Sequence, residues 1–77
     1  MSAVPSELVV ANGRVNAAYA SLPEPTRNAL RIDGPQWCQR EDAIDAAYVA
    51  GDEGAFREAV AAWEAFALSY FKLAAGR

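Results

Sequence analysis

The sequence predicts a small all-α domain organised on an antiparallel helical hairpin, and three features carry that prediction. Phe56, Val60, Trp63, Ala67, Tyr70 and Ala74 step by four and three without a break, with Ala59, Phe66 and Leu73 as the adjoining row; this spacing gives one broad apolar face to a helix over residues 53–75. A second helical stretch covers residues 36–50 and opens at Pro35, because a proline at the first helical position lacks only an amide that has no acceptor there. Between the two stands Gly51-Asp52. Glycine takes the left-handed conformation that ends a helix, and the aspartate carboxylate accepts from the first amides of the next one.

From the N-terminus, residues 1–21 are the least determined. Leu8, Ala11, Val15, Ala18, Tyr19 and Leu22 fall at helical spacing after Ser6, a candidate cap, but Asn12-Gly13 interrupts them. Glycine costs about 1 kcal/mol against alanine inside a helix, and Asn-Gly is also a two-residue hairpin turn. The flanks LVVA and RVNA are too short and alternate too poorly to pair as strands. The expectation is a flexible or partly helical leader with room for a helix around 14–21, followed by a single small domain over 22–77. Leu22-Pro23-Glu24-Pro25 then punctuates the chain, and a short helix is predicted over about 25–32 before the stop Asp33-Gly34-Pro35. Ala29, Leu30 and Ile32 give it an apolar side, while Arg27 and Arg31, four apart, read as a solvated basic edge.

In the hairpin, the first helix carries the stripe Trp37, Ile44, Ala47 and Tyr48, with Glu41, Asp42 and Asp45 between or opposite. The second has Glu53 and Arg57 as a four-apart pair on its exposed side, and Gly76 as a cap. At 1.5 Å per residue the helices are roughly 22 Å and roughly 34 Å long, so they do not cover each other. With Trp37 opposite about residues 65–67, the side chains of Tyr70, Phe71 and Leu73 project past the first helix. The short 25–32 helix is the expected cover, leaving an incompletely closed aromatic edge. Trp63, central in the longest stripe and facing the first helix near Ile44, is the expected keystone of the core.

A chain of 77 residues is near the lower limit for an unaided hydrophobic core. One cysteine and no histidine exclude an internal disulfide and a Cys/His zinc site, which favours a reducing compartment. The N-terminus has no basic region followed by an apolar core, and no apolar run approaches the roughly 20 residues of a membrane span; a soluble, unprocessed, cytoplasmic chain is expected. The net charge of −3 is uneven: residues 1–40 carry four arginines against three acids, and residues 41–77 carry three basic against seven acidic groups. That acidity disfavours direct nucleic-acid binding and suits a basic protein partner.

The inventory holds no histidine base, no nucleophile elbow and no phosphate-cradling glycine loop, so neither enzyme, cofactor nor metal is expected. Glu41, Asp42 and Asp45 read as a solvated face, and Cys38 as a small buried apolar group. Eight aromatic residues are more informative. Most must be core, but short helices cannot enclose them all, and Trp and Tyr are the residues that anchor interfaces.

Residues 35–71 contain P-x-W, an acidic helix, A-G-D-x-x-A-F and A-x-x-x-W-E. This pattern resembles small helical proteins of rhizobial and other proteobacterial integrative and conjugative elements, among them the QseM-type antiactivators. The resemblance implies a protein that binds a LuxR-type quorum-sensing activator and prevents it from switching on conjugative-transfer genes, with no catalytic residue to carry over. The residues point independently to a non-enzymatic interaction module whose partner surface combines Glu41, Asp42 and Asp45 with Tyr70, Phe71 and Leu73. A structural homo-oligomer that buries the apolar overhang against its own copy is the alternative from another class. A DNA-binding regulator using Arg27, Arg31 and Arg40 is a third.

Overall fold

The chain turns at Gly51 because that residue has φ 72°, a conformation that costs an L-residue with a side chain about 1–2 kcal/mol. Its N–H donates to the Tyr48 carbonyl at 3.1 Å, and the Asp52 N–H to the Ala47 carbonyl at 3.1 Å, the paired bonds of a Schellman ending. Asp52 Oδ1 then accepts from the Ala55 amide at 3.0 Å and caps the following helix. In this computed structural model, which describes residues 6–30 and 34–76, four helices result: α1 (Ser6–Ala20), α2 (Glu24–Ala29), α3 (Pro35–Ala50) and α4 (Glu53–Ala75). No strand is formed among the described residues, and the fold is all-α. No helix among them is long and apolar enough to cross a membrane.

α3 and α4 form the antiparallel hairpin, with Pro35 in the first turn of α3 after an extended Gly34. The buried positions of α4 are Phe56, Val60, Trp63, Ala67, Phe71 and Ala74. They follow the predicted stripe except at one place, where Phe71 takes the position assigned to Tyr70. Tyr48, at the edge of the α3 stripe, is partly exposed and packs its ring 6.0 Å from Phe56. Gly76 ends α4 in the right-handed region, its N–H shared between the Lys72 and Leu73 carbonyls at 3.2 and 3.3 Å.

The N-terminal stretch differs from the loose leader that its Asn-Gly step suggests. Residues 6–20 are one continuous helix, packed along α4; residues 1–5 lie outside the described part. Glu7 pairs with Arg57, Arg14 with Glu64, and the Tyr19 ring stacks 5.6 Å from Phe71. Partners about fifty residues apart throughout mean that α1 runs parallel to α4, on the flank that α3 does not cover. Burial explains why Gly13 does not break it. Ala11 and Val15 are buried, and Leu8, Ala18 and Tyr19 pack partly against the same core. Enclosing one Val side chain alone is worth about 1.5–3 kcal/mol, against about 1 kcal/mol for a helical glycine. Asn12 and Gly13 both face solvent.

α1 also replaces the short helix as the cover of the α4 end. α2 spans Glu24–Ala29, shorter than the predicted 25–32, and buries none of its residues. Leu22 before it is buried, and Leu30 after it packs against the core. Arg27 is not a solvated edge: its Nη1 donates to the Ala20 carbonyl at 3.2 Å and to the Leu22 carbonyl, satisfying the end of α1. Arg31, its predicted companion, lies outside the described residues. Residues 21–30 thus follow α1 at the pole where α4 ends.

Two glycine substitutions test this backbone reading with opposite signs. Gly13→Ala, where a Cβ meets nothing within 4 Å and φ is not positive, should stabilise the protein by about 0.5–1 kcal/mol in urea unfolding. Gly51→Ala, at positive φ, should destabilise it by about 1–2 kcal/mol. Loss of stability in the first variant would mean that residues 12–13 are not helical in solution.

Candidate functional site

Three helices bring their aromatic residues to one pole. Trp37 lies in the first turn of α3, Tyr19 in the last turn of α1, and Phe66, Tyr70 and Phe71 in the second half of α4. The Trp37 ring stands edge-on to Phe66 at 5.1 Å and to Tyr70 at 5.7 Å, and lies 6.0 Å from Phe71. Such tilted geometries place the positive ring edge against the negative face of a neighbour. Between α1 and α3 this block leaves a groove of about 280 Å³ lined by Val15, Asn16, Tyr19, Trp37, Glu41, Trp63 and Phe71. Glu41 is the one charged residue in that lining.

Glu41, Asp42 and Asp45 are all exposed on α3, at the three- and four-residue spacing that puts them on one flank with Cys38 and Val49. Cys38 is therefore not the buried apolar group expected; its position in the α3 turn faces solvent. Val49 is 86% exposed. The predicted aromatic half of the site is divided. Phe71 is only 4% exposed and forms part of the groove floor, because α1 and Tyr19 cover the α4 end that was expected to be incompletely covered by the short helix. Tyr70 is half-buried and lines a second hollow with Gly34, Pro35, Gln36, Trp37 and Phe66. Leu73, 69% exposed, shares the outer α4 row with Phe66 and Ala59. Trp37 separates the two sides, so the acidic flank adjoins Trp37, Trp63 and Phe71, and Tyr70 with Leu73 form a different surface. Val15, Asn16, Tyr19, Trp37 and Trp63 were not among the predicted site residues. The helical spacing of Ala11, Val15, Ala18 and Tyr19 was the signal that could have placed them.

Two ion pairs seam α1 to α4. Arg14 makes a bidentate contact to Glu64, through Nε and, at 2.8 Å, through Nη2. Hydrogen bonding from Arg14 holds the Glu64 carboxyl below the ordinary glutamate range and the Glu64 carboxylate raises the guanidinium. Arg57, read from sequence as the partner of Glu53, reaches instead to Glu7 at 3.1 Å. Glu7 is held low first by its own backbone amide and then by Arg57. On the far side of Trp37, the Arg40 guanidinium lies 4.6 Å over the Phe66 ring. The Nε1 atoms of Trp37 and Trp63 are enclosed and have no hydrogen-bond acceptor among the described residues. No family model, no curated protein and no solved structure matches this chain.

Trp63→Ala should cost about 3–5 kcal/mol in equilibrium unfolding, since it empties the floor shared by α1, α3 and α4. A cooperative melt within a few degrees of the parent would show that Trp63 is not in the core. The Glu64 pair has a pH signature. Its folded value is depressed, so its stabilisation is present above the unfolded carboxylate range and is lost as the pH falls through the folded value. Glu64→Gln should therefore lose less stability than the parent between about pH 6 and about pH 3. An unchanged acid slope would show that the pair does not form in solution.

Proposed function

We propose that this protein is a non-enzymatic regulator that binds a basic protein surface and inhibits its owner, and that the owner is a transcriptional activator of the LuxR type. The observation that carries the reading is the α3 flank, where Glu41, Asp42 and Asp45 stand exposed beside an aromatic groove. Carboxylates paired with no cation among the described residues, next to an aromatic-lined groove, suit a basic, partly apolar partner, because opposite fields speed encounter while apolar contact holds the complex. The class of partner rests on the resemblance of residues 35–71 to the antiactivators, and control of quorum sensing or conjugative transfer follows from it. Direct reading of DNA is the poorer alternative: Arg27 is engaged with backbone carbonyls and Arg40 with Phe66.

Capture of binding proteins from the native host, followed by affinity measurement with the purified activator, tests the reading. Asp42→Lys combined with Asp45→Lys should weaken binding by at least about tenfold, and parental binding should weaken with salt as exposed charges are screened. If no activator binds and light scattering shows a stable homodimer, self-assembly replaces regulation as the function.

A further inference from the structure

We infer that the groove between α1 and α3 is a seat for one cationic side chain of the partner, an arginine, held against the aromatic lining of Tyr19, Trp37, Trp63 and Phe71 and neutralised by Glu41. The inference rests on the regulator reading above and adds the contact that would give it specificity.

Charge and surface chemistry argue for the cation. The lining offers one charged group, the Glu41 carboxylate, and no lysine or arginine; Asp45 follows one turn further along the same flank of α3. Trp37 and Trp63 are 6% and 8% exposed, and their Nε1 atoms are enclosed. What the two indoles can show the groove is therefore carbon, not a donor for an anion. Tyr19 and Phe71 add two more rings. Indole is the best aromatic partner for a cation, and the attraction grows when water is excluded from the contact. The same aromatic block already takes a guanidinium where the chain supplies one, with Arg40 over Phe66 at 4.6 Å. Size argues for a side chain: about 280 Å³ falls just below the ~300–1,000 Å³ usual for small-molecule sites. Arginine suits better than lysine, because its planar guanidinium stacks on a ring and pairs with a carboxylate together.

The chain has only two tryptophans and both line the groove, so intrinsic fluorescence reports on the seat. The probe is an acetylated, amidated pentapeptide with a central arginine between leucines, compared with the same peptide carrying citrulline, which keeps the shape and removes the charge. The full-length protein should bind the arginine peptide about tenfold more tightly than the citrulline peptide. Glu41→Gln, at an exposed position, should leave the melting temperature unchanged and weaken the arginine peptide by about threefold. Asp42→Asn, on the same flank but outside the lining, should weaken it much less. Equal binding of the two peptides, an unchanged affinity in Glu41→Gln, or equal losses in the Glu41 and Asp42 variants would overturn the seat. The two proposals fail separately. Loss of activator binding in the Asp42→Lys, Asp45→Lys protein with no preference for arginine removes the seat alone. A clear arginine preference with no activator bound removes the regulator reading.

Discussion

The width of the α4 apolar face is the constraint on which the rest of this structure depends. Ala67 at its centre is fully enclosed, and the buried set from Phe56 to Ala74 is flanked by partly buried side chains on both sides, Ala59, Phe66 and Tyr70 towards one edge and Leu68 towards the other. One antiparallel neighbour covers roughly half of such a face, and the hairpin alone would leave the Phe71 side in water. A second helix is therefore needed, and α1 is drawn in although its own sequence is a mediocre helix former. Its stability comes from what it covers, which is the usual source of helix stability in proteins.

The topology follows from that recruitment. α3 runs against α4 and α1 runs with it, so the end of α1 and the start of α3 meet at the same pole as the end of α4. The described part of the connection is closed there by the buried Leu22 and by Arg27, which donates to the Ala20 carbonyl at the end of α1 and to the Leu22 carbonyl. Aromatic side chains serve both ends of the hairpin. Near the Gly51 turn the buried Phe56 packs against Tyr48 beside a hollow lined by Ala43, Ala46, Ala47, Ala50, Ala55 and Ala59, while the open end is filled by Trp37, Phe66, Tyr70 and Phe71. At the open end the rings fill the space where three helices converge. The groove is a by-product of that filling, since large rings supplied from three directions do not close without a gap.

What could be read from the sequence was what local chemistry determines. Gly51, Asp52 and Pro35 act within one turn of themselves, so the hairpin and both its boundaries were legible. α1 was not, because the term that overrides Asn12-Gly13 comes from residues fifty positions away. The exchange of Phe71 for Tyr70 has the same origin. On a straight helix Tyr70 and Phe71 fall on opposite sides of the direction set by Phe56, and α1, through Tyr19, covers the Phe71 side. The candidate site inherited both errors. Glu41, Asp42 and Asp45 were placed correctly on an exposed face, but which aromatic residues they adjoin depends on where α1 lies, and the groove has no meaning until α1 forms its second wall.

The same placement explains how a net charge of only −3 produces a localised field. Glu7 and Glu64 are matched by Arg57 and Arg14 along the α1–α4 seam, and these four charges cancel in pairs within a few ångströms. Among the described residues the acids of α3 have no such seam. Glu41 and Asp42 lie one turn from Asp45 with no lysine or arginine on their flank, where neighbouring positions are Cys38 and Val49. At physiological salt a field decays over about 8 Å, so a partner surface senses this flank rather than the whole molecule. Glu41 is where that field meets the rings, being both a member of the acidic flank and a wall of the groove. A basic segment drawn to the flank is thereby delivered to the one place on this face where ring carbon and carboxylate lie together.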